Sequence, residues 1–275
     1  MRIRRALLVS FLSVVLLPSS ILHPEPIPVR YQEGSVHGYL ALRSLDGKLI
    51  AAGDLIQSIH GGVLVSRLVY HFRDGSIDDD TAVFTQRGNF RLISDHHIQN
   101  GPTFPNPTDV MIKATTGEVT VRYKDKDEEK VETSHVELPL DLSNGILLDI
   151  LKNVQPDTKE TGISYLAMTP KLRLIHLAVQ PEGEETFHSG GRSNKALKFK
   201  IHVNIGGITG VVAPLIGKES PDTHVWISAG QVPAFLMSEA PLYFGGPVLR
   251  TELVSPVWPE TTKSEREGKG KRVAP

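Results

Sequence analysis

The chain has 275 residues, enough for one large domain or two modest ones. Its 30 lysines and arginines balance its 31 aspartates and glutamates, so no net field attracts nucleic acid or an anionic membrane, and we expect no nucleic-acid partner. The sequence contains no cysteine, which excludes disulfides and leaves packing and hydrogen bonds to hold the fold together.

Residues 1–22 have the layout of a secretory signal. Three arginines precede an apolar run from Ala6 to Leu17, which is too short for a comfortable membrane span. Pro18 stands among the candidate cleavage positions, so an uncleaved N-terminal anchor is the alternative, and membrane contact would then involve this segment only. We predict export to a bacterial periplasm or exterior, the compartment that suits a cysteine-free exported chain.

The rest of the chain divides into three parts. Residues 23–35 carry three prolines and predict an extended linker. Residues 36–258 predict a single β-rich domain, because short strand patterns alternate there with turn signals. Residues 259–275 are polar and mixed in charge, which predicts a disordered tail.

The β-rich part is punctuated by glycine-containing turn signals. They are LDGK at 45–48, HGG at 60–62, RDGS at 73–76, RGN at 87–89 and TTGE at 115–118. The clearest strand lies at 195–204, where Leu197, Phe199 and Ile201 alternate with polar side chains, and residues 119–124 alternate in the same way. This period of two predicts a mainly β fold with a large curved antiparallel sheet, a half-barrel or open barrel.

One helix is predicted near 141–154. Its apolar stripe consists of Ile146, Leu147, Ile150 and Leu151, and Asp141 or Ser143 can cap its N-terminus. A lone helix of this kind covers the apolar face of a sheet.

The stretch FRDGSIDDDTAVF at 72–84 looks like a metal loop but fails the calcium pattern, since the twelfth position is Thr85 or Asn89 instead of Glu. The pair Asp74-Gly75 favours a hairpin. A two-residue loop sets His71 opposite Asp78, and a four-residue loop sets Arg73 there. We therefore interpret the stretch as architecture, with its acidic run balanced by Arg73 or His71.

Asp95 and His97 are the candidates for metal ligands, because alternate residues of a strand share a face and His96 points the other way. A third ligand would have to come from His60, His71 or His135, and a solvated strand is the simpler interpretation. No phosphate loop or G-x-S-x-G motif is present, so we assign no catalytic residue, cofactor or metal.

An aliphatic run spaced by glycines follows the clearest strand. We predict that it binds ligand as a mobile lid over an apolar cavity, the alternative being a loop that only covers the core. The predicted ligand-binding residues are Ile205, Ile208, Val211, Val212, Leu215 and Ile216.

Four segments resemble an uncharacterised family of exported bacterial β-rich proteins, a domain of unknown function. They are FRDGSI at 72–77, QNGPTFP at 99–105, VVAPLIGKESPD at 211–222 and FGGPVL at 244–249. The segment THVWISAGQVPAFL at 223–236 is similar to the late strands of periplasmic lipoprotein carriers, which are half-barrels with a helix plug. This second resemblance implies a lipid or acyl-chain ligand.

Three functions follow as hypotheses. The first is a non-catalytic envelope protein that binds a hydrophobic ligand or a lipidated partner in the concave face of the sheet. The second is a structural or protein-interaction module of the envelope, and the third is a hydrolase whose site uses Asp95 and His97.

Overall fold

The computed structural model describes residues 26–125, 128–167, 172–189, 192–204 and 221–254. Within these residues, fourteen strands form one antiparallel sheet that does not close into a barrel. The predicted fold class, mainly β with a large open antiparallel sheet, is confirmed. The predicted signal at 1–22 and the predicted tail at 259–275 lie outside the described residues.

The strands and the helix follow one another along the chain with mostly short connections. They are β1 (Val36–Ser44), β2 (Leu49–His60), β3 (Val63–Phe72), β4 (Ile77–Arg87), β5 (Asn89–Asn100), β6 (Thr108–Lys113), β7 (Glu118–Asp125), β8 (Glu128–His135), α1 (Leu147–Leu151), β9 (Thr161–Ala167), β10 (Arg173–Ser189), β11 (Arg192–Asn204), β12 (Thr223–Ser228), β13 (Phe235–Pro241) and β14 (Val248–Val254). All five predicted turns fall between consecutive strands.

The sheet is built from two meanders that meet in its middle. Strands β1 to β8 run in order toward one edge, strands β14 back to β9 run toward the other, and β1 pairs with β14 at the junction. Strands β5 and β9 are ten places apart in this order, about 50 Å on a flat sheet. Because His97 of β5 and Tyr165 of β9 line one cavity, the sheet must curve strongly and bring its two halves face to face.

The hairpin between β3 and β4 uses a register that neither sequence-based alternative predicted. Phe72 N donates to Ser76 O at 3.0 Å and Gly75 N donates to Phe72 O at 3.2 Å, so the loop has three residues. Gly75 takes a φ of +85°, as the last residue of such a loop requires. As a result His71 faces Ile77 and Tyr70 faces Asp78, and both predicted pairings of Asp78 are wrong.

The acidic run is consequently balanced by different bases from those predicted. Arg67 Nε donates to Asp79 Oδ1 at 2.8 Å, and His97 Nε2 lies 2.6 Å from Asp78 Oδ1. The expectation that Arg73 or His71 balances the run was therefore wrong. The hairpin itself is confirmed, and the Asp74 carboxylate stabilises its loop by accepting a hydrogen bond from Ser76 N at 2.9 Å.

The helix is much shorter than the range 141–154 predicted from sequence. It spans only Leu147–Leu151, it begins after Ile146, and no side-chain cap is bonded at its N-terminus. Gly145 adopts a φ of +66°, outside the helical region, so the helix cannot extend further toward the N-terminus. Most of the predicted apolar stripe is nonetheless buried: Ile146, Ile150 and Leu151 belong to the main core, and Leu147 is partly buried against it.

The two predicted capping residues bind the edge strand β9 instead of the helix. Asp141 Oδ2 accepts from Ser164 N at 3.0 Å, and Ser143 Oγ donates to Ser164 O at 2.8 Å. The Asn144 side chain accepts from Leu166 N at 2.8 Å and donates to Leu166 O at 3.0 Å. These contacts satisfy backbone groups that the edge of a sheet otherwise leaves unpaired.

The described part of the predicted linker is bound to the domain. Backbone N–H groups of Arg30 and Tyr31 donate to Asn153 Oδ1 at 2.7 and 2.8 Å. Glu33 N donates to Gln86 Oε1 at 2.7 Å, and the Glu33 carboxylate accepts from Lys152 Nζ at 3.0 Å. In the described part of the chain, no helix has the length and apolarity that a membrane crossing requires.

We expect Asn144→Ala to lower the free energy of unfolding by about 2–5 kcal/mol, because two buried backbone groups of Leu166 lose their partner. Urea unfolding monitored by circular dichroism measures the change. Leu140→Ala is the matched control, since Leu140 is 71% exposed on the same segment, and it should change stability by less than about 0.5 kcal/mol. Equal effects of the two substitutions would contradict this role of Asn144.

Candidate functional site in the concave face

A cavity of about 260 Å³ lies between the concave face of the sheet and the segment that contains α1. Its volume is just under the lower end of typical small-molecule sites, roughly 300–1,000 Å³. Most of its wall is aliphatic or aromatic. The two meanders contribute Leu55, Leu68, Val225, Phe235 and Leu249, and α1 contributes Leu148. A ligand here would be surrounded mainly by apolar surface.

Strands β4 and β5 bring four titratable side chains to one side of this cavity. Alternation along β4 places Asp78 and Asp80 on one face, and alternation along β5 places Asp95 and His97 on the same face. Asp78, Asp80 and His97 line the cavity directly. His97 and Asp80 face each other across the two strands, and Asp95 faces Ala82.

His97 forms a close ion pair with Asp78. The two side chains are only 15% and 9% exposed, and their Nε2 and Oδ1 atoms lie 2.6 Å apart. Burial alone would lower the pKa of His97. The hydrogen bond and charge of Asp78, together with the charges of Asp80 and Asp79, outweigh burial and raise the His97 pKa above its usual value. His97 is therefore held in its charged form to a higher pH than a free histidine.

Asp80 and Asp95 form a carboxyl pair that needs a proton. Asp95 is 0% exposed, and neither of its oxygens, nor Asp80 Oδ1, has a hydrogen-bond donor among the described residues. Two ionised carboxylates can only accept, so a bond between them requires one of them to be protonated. Burial, followed by the charge of Asp80, raises the pKa of Asp95 well above its usual value, so Asp95 carries the proton.

The backbone at Gly145 lies directly over Asp80 and Asp95. A Cβ atom at position 145 would collide with Asp95 Oδ1 and come within 2.6 Å of the Ala82 Cβ atom. Its φ of +66° also disfavours any other residue. Glycine thus lets the chain pass directly above Asp80 and Asp95, and this seals Asp95 from solvent.

A second polar cluster lies at the end of the cavity nearest α1. Asp149 Oδ1 accepts from Gln57 Nε2 at 2.9 Å and from Lys152 Nζ at 3.0 Å, and Lys152 Nζ also donates to Glu33. Burial disfavours the charged ammonium, but the charges of Asp149 and Glu33 outweigh it and raise the pKa of Lys152. Gln57 is 3% exposed and lines the cavity, and its Oε1 atom has no hydrogen-bond partner in the described part of the chain.

The structure describes only some of the site residues predicted from sequence. Asp95 and His97 share a face as predicted, while His96 points the other way and lies 2.9 Å from Asp109 Oδ1. No group of three or more His, Cys, Asp or Glu side chains within the described ranges is arranged to hold a metal ion. The predicted ligand-binding residues lie outside the described residues, namely Ile205, Ile208, Val211, Val212, Leu215 and Ile216.

Sequence reasoning missed Asp78, Asp80 and Gln57 as site residues. Asp78 and Asp80 were interpreted only as part of a hairpin, although their alternation already placed both on one face of β4. The signal that could have found them is the combination of this alternation with that of Asp95 and His97 on the next strand. Gln57 gives no such signal, because nothing in its local pattern distinguishes it from a surface residue.

No protein-family model matches the chain, and no curated protein matches it. Among solved structures, the chain is similar to a β-barrel-like protein of domain of unknown function DUF1849 from Brucella abortus, with 11% sequence identity and a TM-score of 0.40. The likeness covers 82% of this chain and 100% of that chain. This likeness says nothing about a ligand or an activity.

We expect Asp95→Asn to remove part of the pH dependence of stability. Asp95 keeps its proton in the folded state and loses it in the unfolded state, where its pKa is about 3.9. The folded state then binds more protons, so the free energy of unfolding falls as pH rises, by up to about 1.4 kcal/mol per pH unit, until folded Asp95 ionises. Asparagine has no such proton, so the variant gains stability relative to the wild type between about pH 5 and about pH 8.

Urea unfolding at both pH values measures this gain. Asp79→Asn is the control, because it removes an outer-face ion pair with Arg67, expected to be worth less than about 1 kcal/mol at either pH. A stability difference between the wild type and Asp95→Asn that does not change with pH would show that Asp95 is ionised in the folded protein.

Proposed function

We propose that the protein is a non-catalytic binding protein that takes a small, mainly apolar ligand into the concave cavity of its sheet. The observation that carries this proposal is the cavity itself, about 260 Å³ in volume, walled mostly by apolar side chains from both halves of the sheet. Apolar pockets with a few polar groups at defined places are typical of small-molecule binding sites.

The arrangement of the polar groups favours binding over hydrolysis. His97 Nε2 is already engaged by Asp78, at 2.6 Å. Asp95 is completely buried beneath Gly145, where a substrate does not reach it. A hydrolase site made of Asp95 and His97 would require the carboxylate and the imidazole to act on one accessible substrate atom, which this burial opposes.

The proposed place of action is the bacterial envelope or exterior. The support is the layout of residues 1–22, with three arginines before a short apolar run. A lipid or acyl-chain ligand fits the apolar wall, since burial of each methylene contributes about 0.8 kcal/mol.

The binding proposal predicts that N-phenyl-1-naphthylamine, a neutral dye that brightens in apolar surroundings, becomes fluorescent with the wild-type protein. Ala240→Trp should abolish the increase, because Ala240 lines the cavity and a tryptophan there fills it. The measurement is a fluorescence titration, together with thermal unfolding to show that the variant is folded.

Ala52→Trp is the matched control, because Ala52 is an exposed alanine of β2 outside the cavity wall. It should bind the dye like the wild type. A folded Ala240→Trp variant that still binds the dye, or a wild type that never brightens it, would contradict the proposal. Mass spectrometry of an organic extract of the purified protein then identifies any ligand that co-purifies.

A further inference from the structure

We propose that the ligand of this cavity carries a protonated amine, and that this amine donates hydrogen bonds to the Asp80 carboxylate while the apolar body packs on the leucines beside it. The inference rests on the proposed binding function and specifies the chemistry of the ligand.

The first support is an excess of negative charge around an otherwise apolar space. The titratable side chains in the cavity wall include three carboxylates, Asp78, Asp80 and Asp149, and the imidazole of His97. Two of these carboxylates already accept hydrogen bonds from bases, Asp78 from His97 and Asp149 from Lys152. Glu33 shares Lys152 with Asp149, so that ammonium group is already divided between two acids. A cation from outside the chain would balance this excess, because buried charges are stable only when they are paired.

The second support is the kind of polar atom that lacks a partner. Gln57 Oε1 is buried in the cavity wall and has no donor among the described residues, and Asp80 Oδ1 has none there except the proton of Asp95. The orientation of the Gln57 amide is determined, because its Nε2 atom donates to the Asp149 carboxylate. Gln57 Oε1 is therefore an unpaired acceptor, which costs about 1–3 kcal/mol. The Asp80 carboxylate accepts from Asp95 and keeps lone pairs for further donors.

Only some ligand groups match a buried carboxylate such as Asp80. A carboxylate brings acceptors alone, and a hydroxyl brings one donor together with lone pairs that need donors in turn. A protonated amine brings three donors, no acceptor and the missing positive charge. This makes the ammonium group the best complement to Asp80.

The register of the strands shows where the apolar body lies. Leu68 faces Asp80 across β3 and β4, and Leu55 faces Leu68 across β2 and β3. Gln57 is on β2, two strands from Asp80, about 10 Å across the sheet. An alkyl chain that starts at an amine on Asp80 therefore runs over Leu68 and Leu55 toward the Gln57 end of the cavity.

The test is competition between three probes of equal length for the cavity. Octylamine, octanol and octanoate are titrated against the wild-type protein loaded with N-phenyl-1-naphthylamine at about pH 7.5, where the amine is protonated and the acid ionised. We expect octylamine to displace the dye at concentrations at least about tenfold lower than octanol, and octanoate to be the weakest of the three.

Asp80→Asn removes the charge while keeping the shape of the side chain. This substitution should weaken the binding of octylamine by about tenfold or more and change the binding of octanol by less than about twofold. Asp79→Asn is the matched control, because Asp79 is the adjacent aspartate, pairs with Arg67 and does not line the cavity; it should leave all three probes unchanged. If Asp80→Asn does not fold, Asp80→Ser provides the second variant, because it also removes the carboxylate, and the binding of octylamine should weaken while that of octanol does not.

The outcomes separate the two proposals. If the dye binds but octanol or octanoate displaces it as well as octylamine, or if octylamine does not displace it, the cavity binds apolar ligands and the amine inference is wrong. The inference is equally overturned if a folded Asp80→Asn variant binds octylamine unchanged. If neither the dye nor any of the three probes binds the wild type, the proposed binding function fails, and the inference fails with it.

Discussion

The pairing of β1 with β14 is the interaction on which the rest of the structure depends. Six residue pairs, from Tyr39 opposite Val254 to Ser44 opposite Leu249, join two meanders that share no other direct strand pairing in the described sheet. Side chains reinforce the junction, since Arg43 Nε donates to Glu252 at 3.1 Å and the hydroxyls of Tyr70 and Thr251 lie 2.8 Å apart. Without this junction the two meanders would not face each other, and the cavity between them would not exist.

A curved open sheet of this size must fill its concave side, and this protein fills it only in part. The segment around α1 contributes Leu142, Ile146 and Leu151 to the core. The same segment leaves space beside Asp80, Leu68 and Gln57, where Gln57 Oε1 remains unpaired. An unpaired buried acceptor and a protonated carboxyl reduce stability, and such costs are often concentrated at binding sites. The proposed binding site rests on this cluster.

Much of the fold was predictable because it is encoded locally. Alternation at 119–124 and 195–204, together with glycine turns, was enough to predict an antiparallel meander. The register at Asp74-Gly75 was not predictable, since loops of two, three and four residues all accommodate this pair. The structure has three loop residues, and Asp74 also accepts a tertiary hydrogen bond from Thr103 Oγ1 at 2.8 Å, which the local sequence does not reveal. The length of the helix was overestimated because the apolar stripe continues past Gly145, whereas the backbone there is left-handed.

The candidate site was predictable only in fragments. Asp95 and His97 could be placed on one face from their spacing, and Asp78 and Asp80 could be placed on another by the same rule. That the two faces coincide depends on the β4–β5 register, which includes a bulge between Val83 and Phe84. Side chains from the other half of the sheet lie opposite these residues because the sheet is curved. No local sequence pattern predicts that curvature.

The two edges of the sheet resist unwanted strand pairing by different physics. At β9 the side chains of Asp141, Ser143 and Asn144 occupy the exposed backbone groups with short hydrogen bonds, which salt hardly weakens. At the opposite edge, β8 has almost entirely exposed side chains and several like charges, among them Glu128, Glu129 and Glu132. Charge protects an edge strand by repulsion, and repulsion between exposed groups is screened beyond about 10 Å at roughly 0.1 M salt. Association between molecules through the β9 edge should therefore not depend on ionic strength. Association through the β8 edge should increase as salt is added.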